Sequence, residues 1–175
     1  MRMISLKILS LTALVLSAGC LNPFAPELDD GSAAGELITG QKTPEEVLIN
    51  FRYAYTFKDS LLYSDVLDSS FVFQYYDPDQ GPSGLFISWT RETDLRTTGG
   101  LFRNFDIINL EWLNAGEPAD SLHEDEDYLL AKSFRLDLSS ADFSFSASGF
   151  AIFTFRFNNH DRKWRIVRWV DESEI

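Results

Sequence analysis

Cysteine and histidine are nearly missing from this sequence, and positive charge is scarce. The one cysteine, Cys20, cannot close an internal disulfide, and no Cys/His pair stands at metal-ligand spacing. The two histidines, His123 and His160, sit in an acidic stretch and in Asn158-Asn159-His160-Asp161, both of loop character. The commonest general base is therefore not offered on a rigid element. No glycine-rich phosphate cradle and no nucleophile elbow occurs. Lysine and arginine number 15 against 27 acids, a net charge of −12. That balance disfavours nucleic acid, whose backbone rewards clustered cations, and a charge-driven hold on anionic lipid.

What is present is a globular composition, 45% hydrophobic, with 15 phenylalanines among 175 residues. The length accommodates one domain with a core of its own. At the front, Arg2 and Lys7 precede a short apolar run over residues 8–16, followed by the small residues Ser17-Ala18-Gly19. This is the layout of a cleavable secretory signal, and the run is too short to span a bilayer.

The string Leu16-Ser17-Ala18-Gly19-Cys20 resembles the lipobox of bacterial lipoproteins. The resemblance implies cleavage before Cys20 and a diacylglyceryl thioether on its sulfur, an attachment made by fatty chains. Loss of Arg2 and Lys7 with the leader would take the net charge from −12 to −14. The expected organisation is a signal peptide over residues 1–19, a lipidated flexible tether over 20–42, and a domain over 43–175. A tether of that length spans roughly 25 Å as a coil. The expected address is the cell envelope, and Leu21 after the cysteine favours the outer membrane in a Gram-negative host.

Within the domain, Thr43-Pro44-Glu45-Glu46 is a helix start, with a cap, a proline in the first turn and a capping-box acid. Val47, Leu48, Phe51, Ala54 and Tyr55 then share one helical stripe. A second short helix follows Asp59. Residues 71–76 alternate as a strand with Phe71, Phe73 and Tyr75 on one face, stopped by the turn-forming residues 77–84. A third helix is expected over 91–104, weakened by Gly99-Gly100. Four strands follow, over 105–113, 128–138, 143–157 and 163–171, joined by short turns into an antiparallel meander. The class is α+β, helices packed on a curved, mainly antiparallel sheet.

Helices opened by Thr-Pro-Glu-Glu, a strand ending at Tyr76-Asp77-Pro78, and a close on Trp164-Arg165-Ile166-Val167-Arg168-Trp169 resemble the nuclear transport factor 2-like (NTF2-like) superfamily. The resemblance implies a cone-shaped roll that hosts isomerases, dehydratases, hydrolases and many non-enzymatic binders. No catalytic constellation of those enzymes carries over residue by residue, so no catalytic residue, cofactor or metal is assigned. Alternation over residues 164–170 puts Arg168 on one face with Trp164, Ile166 and Val170. It would then enter the cone with Tyr55, Tyr75 and Trp112, a set suited to a polar or anionic small molecule. The blander alternative pairs Arg168 with Asp106 or lets it reach the cone mouth. The expected function is binding of a small ligand or protein partner without catalysis. The rival is an isomerase- or dehydratase-type enzyme with Tyr55 or Tyr75 as proton donor beside a carboxylate. A homodimer through the outer sheet face, contacted by Val167 and Trp169, is a further expectation.

Overall fold

The computed structural model describes residues 38–113 and 126–174. Helix α1, Pro44–Phe57, begins as its sequence dictates: the Thr43 side chain accepts from the Glu46 N–H at 3.2 Å, with proline in the first turn. It ends where Lys58 enters the left-handed region (φ 56°) and its N–H returns to the last carbonyls. Asp59 caps α2, Ser60–Val66, by accepting from the Leu61 and Leu62 N–H groups. Strand β1, Leu67–Asp77, follows directly, then β2, Leu85–Thr90, and α3, Arg91–Asn104. Helix α3 runs unbroken through Gly99-Gly100. The meander is β3, Ile107–Trp112; β4, Tyr128–Ser139; β5, Ser144–Asn158; and β6, Lys163–Glu174. Among the described residues no helix is long and apolar enough to cross a membrane.

The strands form one six-stranded sheet in the order β2-β1-β6-β5-β4-β3, antiparallel except for the β1–β6 pair. The sequence reading missed β2. Its only buried-face partners are aromatic (Trp89 opposite Phe73), and the adjacent turn cluster masks its alternation. The helices cover one face, and the core lies between the layers. Phe51, Tyr63, Phe71, Phe153, Phe155 and Trp164 are its largest fully enclosed side chains. Burying each such ring contributes about 2–3 kcal/mol, which makes this aromatic layer the main source of stability.

Two expectations need correction. The first is the upstream boundary of the domain. The Gln41 carbonyl accepts from the Trp164 N–H at 2.9 Å, and the Gln41 side chain, fully buried, donates to Asp65 at 2.6 Å. Thr39 exchanges bonds with Asn50, its N–H to Oδ1 and its carbonyl from Nδ2. Residues 39–42 are thus tied to the domain, and any spacer ends ahead of Thr39, not at Lys42.

The second is the facing of β6. The β5–β6 register pairs Phe155 with Ile166 but Thr154 with Arg168, leaving Val167 without a partner. A β-bulge of this kind inserts one residue and reverses the alternation beyond it. Ile166 and Trp169 therefore both point inward, and Arg168 points out. Trp169 packs against Phe51, Phe73 and Phe153, and Val167 is buried, so neither offers the outer-face contact expected of it.

Candidate functional site

The inner face of the sheet holds an enclosed polar cluster. Asp94 lies in the first turn of α3, on the same stripe as Thr98 and Phe102 at i, i+4 and i+8, and that stripe faces the core. Its carboxylate is 3% exposed. The Tyr63 hydroxyl donates to Asp94 Oδ2 at 2.5 Å, and the Trp89 indole N–H donates to Oδ1 at 2.9 Å. Each oxygen therefore has a donor, as a buried carboxylate requires. Burial still raises the Asp94 pKa, because the two bonds only partly offset the loss of water.

The phenols respond in the same sense. Tyr55 is pushed well above the ordinary tyrosine range by burial first and by the Asp94 charge second, against hydrogen bonding with Thr98 and Tyr63. Tyr63 is raised by burial, then by Tyr55 and Asp94. Both stay protonated across the physiological range, and the Tyr63 hydroxyl is the donor to Asp94.

Aromatic walls enclose the cluster. Phe51 stacks on Tyr55 at 4.9 Å and Phe73 on Trp89 at 4.3 Å, while Trp169 meets Phe73 edge-on at 4.8 Å. The Trp169 indole nitrogen is buried and makes no hydrogen bond among the described residues.

Three of the four candidate ligand-binding residues lie on the inner side of the sheet, without touching one another as a set. Tyr55 is buried in the cluster. Tyr75 lies half-buried on the inner face of β1, its ring against Phe73 and Trp89. Trp112 is on the inner face of β3, and its N–H is taken by the Leu48 carbonyl at 3.2 Å. Arg168 is on the opposite face, exposed, donating to the Gln74 side chain and not to Asp106. His160 is exposed in the β5–β6 turn, while Cys20 and His123 lie outside the described residues.

Tyr63, Trp89, Asp94 and Thr98 were missed. Tyr63 falls at i, i+3 and i+4 with Val66 and Leu67, so its spacing could have placed it inward. Asp94 reads at first sight as a dipole-favouring acid. Only its stripe-sharing with Thr98 and Phe102 marks it as internal. Among the described residues no group of three or more His, Cys, Asp or Glu is arranged to hold a metal.

No family model matches the sequence, and no curated protein matches it. Solved structures do. A conserved protein from Planctomyces limnophilus superposes with a TM-score of 0.61 at 14% identity, covering 81% of this chain and 98% of its own. An NTF2-like superfamily protein from Salmonella enterica gives 0.55 at 12% identity, over 74% and 85%. The fold is NTF2-like. A scytalone dehydratase-like protein from Novosphingobium aromaticivorans shares it at a TM-score of 0.56 and 11% identity, over 83% and 87%. At these identities the likeness of the NTF2-like domain to its neighbours concerns the fold alone, and enzymes stand among them beside proteins of unknown function.

Proposed function

We propose that this chain is a lipid-anchored envelope protein, tethered through Cys20, whose NTF2-like domain binds a small ligand or a protein partner without catalysing a reaction. The observation that carries the non-catalytic reading is the double engagement of Asp94. A proton shuttle needs a carboxylate oxygen that substrate can reach, and here Asp94 is 3% exposed with a donor already on each oxygen. The pair then acts as a pin joining α2, β2 and α3. The ligand reading is supported by the Trp169 N–H, a buried donor with no acceptor among the described residues, whose ring shares Phe73 as a neighbour with the half-buried Tyr75.

Carbodiimide labelling of the native protein with an amine, read by peptide mass spectrometry, tests the pin. Asp94 is expected to stay unlabelled while the exposed Asp79 reacts. Labelling of both at similar rates would mean that reagents reach Asp94 and would favour a catalytic use. Intact mass of the mature N-terminus tests the anchor, which is lost if Cys20 carries no lipid.

One observation supports the rival enzyme. An acid with a raised pKa hydrogen-bonded to a phenol is the pairing that isomerase and dehydratase chemistry would use, with Tyr63 in the place expected of Tyr55 or Tyr75. It requires Trp89 to release Oδ1 when substrate enters. A homodimer remains a proposal too, now resting on the exposed outer-face residues Val72, Tyr76, Phe86, Leu129 and Phe150. Sedimentation of the wild type against Phe150→Glu would detect it.

A further inference from the structure

A cleft of about 440 Å³ lies away from the inner face, between α2, the start of β1, the first residue of α3 and the β5–β6 hairpin. That is the size range of small-molecule sites, roughly 300–1,000 Å³. Its charged walls are Asp65, Asp68, Arg91, Asp161 and Arg165. Most of them satisfy one another. The Arg165 guanidinium donates to Asp161 through two nitrogens at 3.1 and 2.6 Å and to Asp65 Oδ1 at 3.0 Å. Lys163 closes on the other Asp65 oxygen at 2.7 Å.

Two groups are left over. Arg91 donates through Nη2 to the Ser64 carbonyl and hydroxyl at 2.8 and 2.7 Å, but its Nε is buried with no acceptor. Asp68 takes the Ser70 N–H and hydroxyl and the Ser69 hydroxyl on Oδ1, at 2.8, 2.7 and 3.4 Å. Its Oδ2 makes no hydrogen bond among the described residues, and Arg156 acts on the carboxylate through space without a hydrogen bond. Arg91 and Asp68 line the same cleft.

The signs of charge narrow the ligand. With Lys163 on Asp65 counted, three carboxylates face three cationic groups, so a simple ion of either sign gains little from the surrounding field. A simple cation would leave the Arg91 guanidinium, whose acceptors are the neutral Ser64 carbonyl and hydroxyl, without an anionic partner. A molecule carrying both charges answers both groups. We infer that this cleft binds a small zwitterion of amino-acid or dipeptide size, its carboxylate on Arg91 and its ammonium on Asp68.

The test is an NMR titration of the detergent-solubilised, ¹⁵N-labelled mature protein with alanyl-alanine, following the Arg91 Nε–H signal assigned by its loss in Arg91→Lys. Two charge-assisted bonds predict a saturable shift with a Kd of about 0.1–1 mM. N-acetyl-alanyl-alanine, which lacks the ammonium, and the Asp68→Asn protein should each bind roughly tenfold more weakly. The acetylated ligand needs no mutation, so the result stands even where Asp68→Asn folds poorly. Absence of a saturable shift, equal binding of both peptides, or an equal response to glucose would overturn the assignment, the last pointing to a neutral polyol.

Discussion

Replacing Tyr63 by phenylalanine removes one oxygen from a fully enclosed site, and with it the hydroxyl's interactions with Asp94, Tyr55 and Thr98. Its hydroxyl is one of two donors on a carboxylate that is 3% exposed. Losing it strands Asp94 Oδ2 without water or a donor, a penalty of about 1–3 kcal/mol, with about 2 the central expectation. The ring packing against Phe51, Tyr55 and Phe102 survives, so no cavity adds to it. The effect should depend on pH. The Asp94 pKa is raised in the folded state, so its contribution favours folding below the unfolded value of 3.8 and is lost as pH rises through the folded value. The Tyr63 bond limits that loss by lowering the Asp94 pKa. Without it the loss grows, so the penalty should be largest near neutrality and shrink as Asp94 takes up a proton in acid. Equilibrium urea unfolding at pH 7 and near pH 4 measures both. Tyr53→Phe is the control, because that ring stacks on Phe57 with Arg52 beside it and its change should stay within about 0.5 kcal/mol. A Tyr63→Phe penalty below about 0.5 kcal/mol, or one that does not vary with pH, would refute the pinned carboxylate.

Asp65 should behave in the opposite sense. Burial pushes its pKa up, but the bonds from Lys163 and Arg165 outweigh this and hold it below 3.8. Its stabilisation is present above 3.8 and disappears as pH falls through the folded value, so Asp65→Asn should lower the melting temperature at pH 7 and converge with wild type in strong acid. The carboxylate is 38% exposed, and solvent screening limits the loss to about 1 kcal/mol. Arg168→Ala should change stability by less than about 0.5 kcal/mol, since an exposed bond to Gln74 is all it breaks. A loss of several kcal/mol would return Arg168 to the interior. Gly84 holds φ +69°, and a Cβ there would overlap the Tyr76 phenol, so Gly84→Ala should cost about 1–2 kcal/mol, read as a shift in urea midpoint.

The helices were legible because their signals are local. Thr43, Pro44 and Glu46 define the start of α1 within four residues, and Asp59 does the same for α2. Strand facing was legible wherever period-two alternation runs undisturbed, as at Phe71, Phe73 and Tyr75, or Ile108, Leu110 and Trp112. It failed at Val167. A bulge depends on how two strands distant in sequence share register, and Ile166-Val167-Arg168-Trp169 reads equally well as regular alternation. Two large residues then competed for the inward slot, and the sheet took Trp169 over Arg168. Burying an unpaired guanidinium costs far more than turning one residue out of register, so a sequence with Trp beside Arg is one in which a bulge is worth suspecting.

The polar cluster was hidden for a related reason. Tyr63, Trp89 and Asp94 come from three elements, one of which the sequence did not reveal as a strand. Without β2 there is no second donor, and Asp94 looks like a surface acid at a helix start. With β2 in place, the Trp89 N–H turns the same residue into a closed junction of α2, β2 and α3. Chemistry at that acid therefore depends on one movement, the withdrawal of the Trp89 ring from its stack on Phe73. A ligand that inserted there would have to replace both an aromatic contact worth about 0.5–1.5 kcal/mol and a charge-assisted hydrogen bond of about 1.5–3 kcal/mol. A binder that leaves Trp89 in place meets neither demand, and the proposed non-catalytic reading rests on that difference.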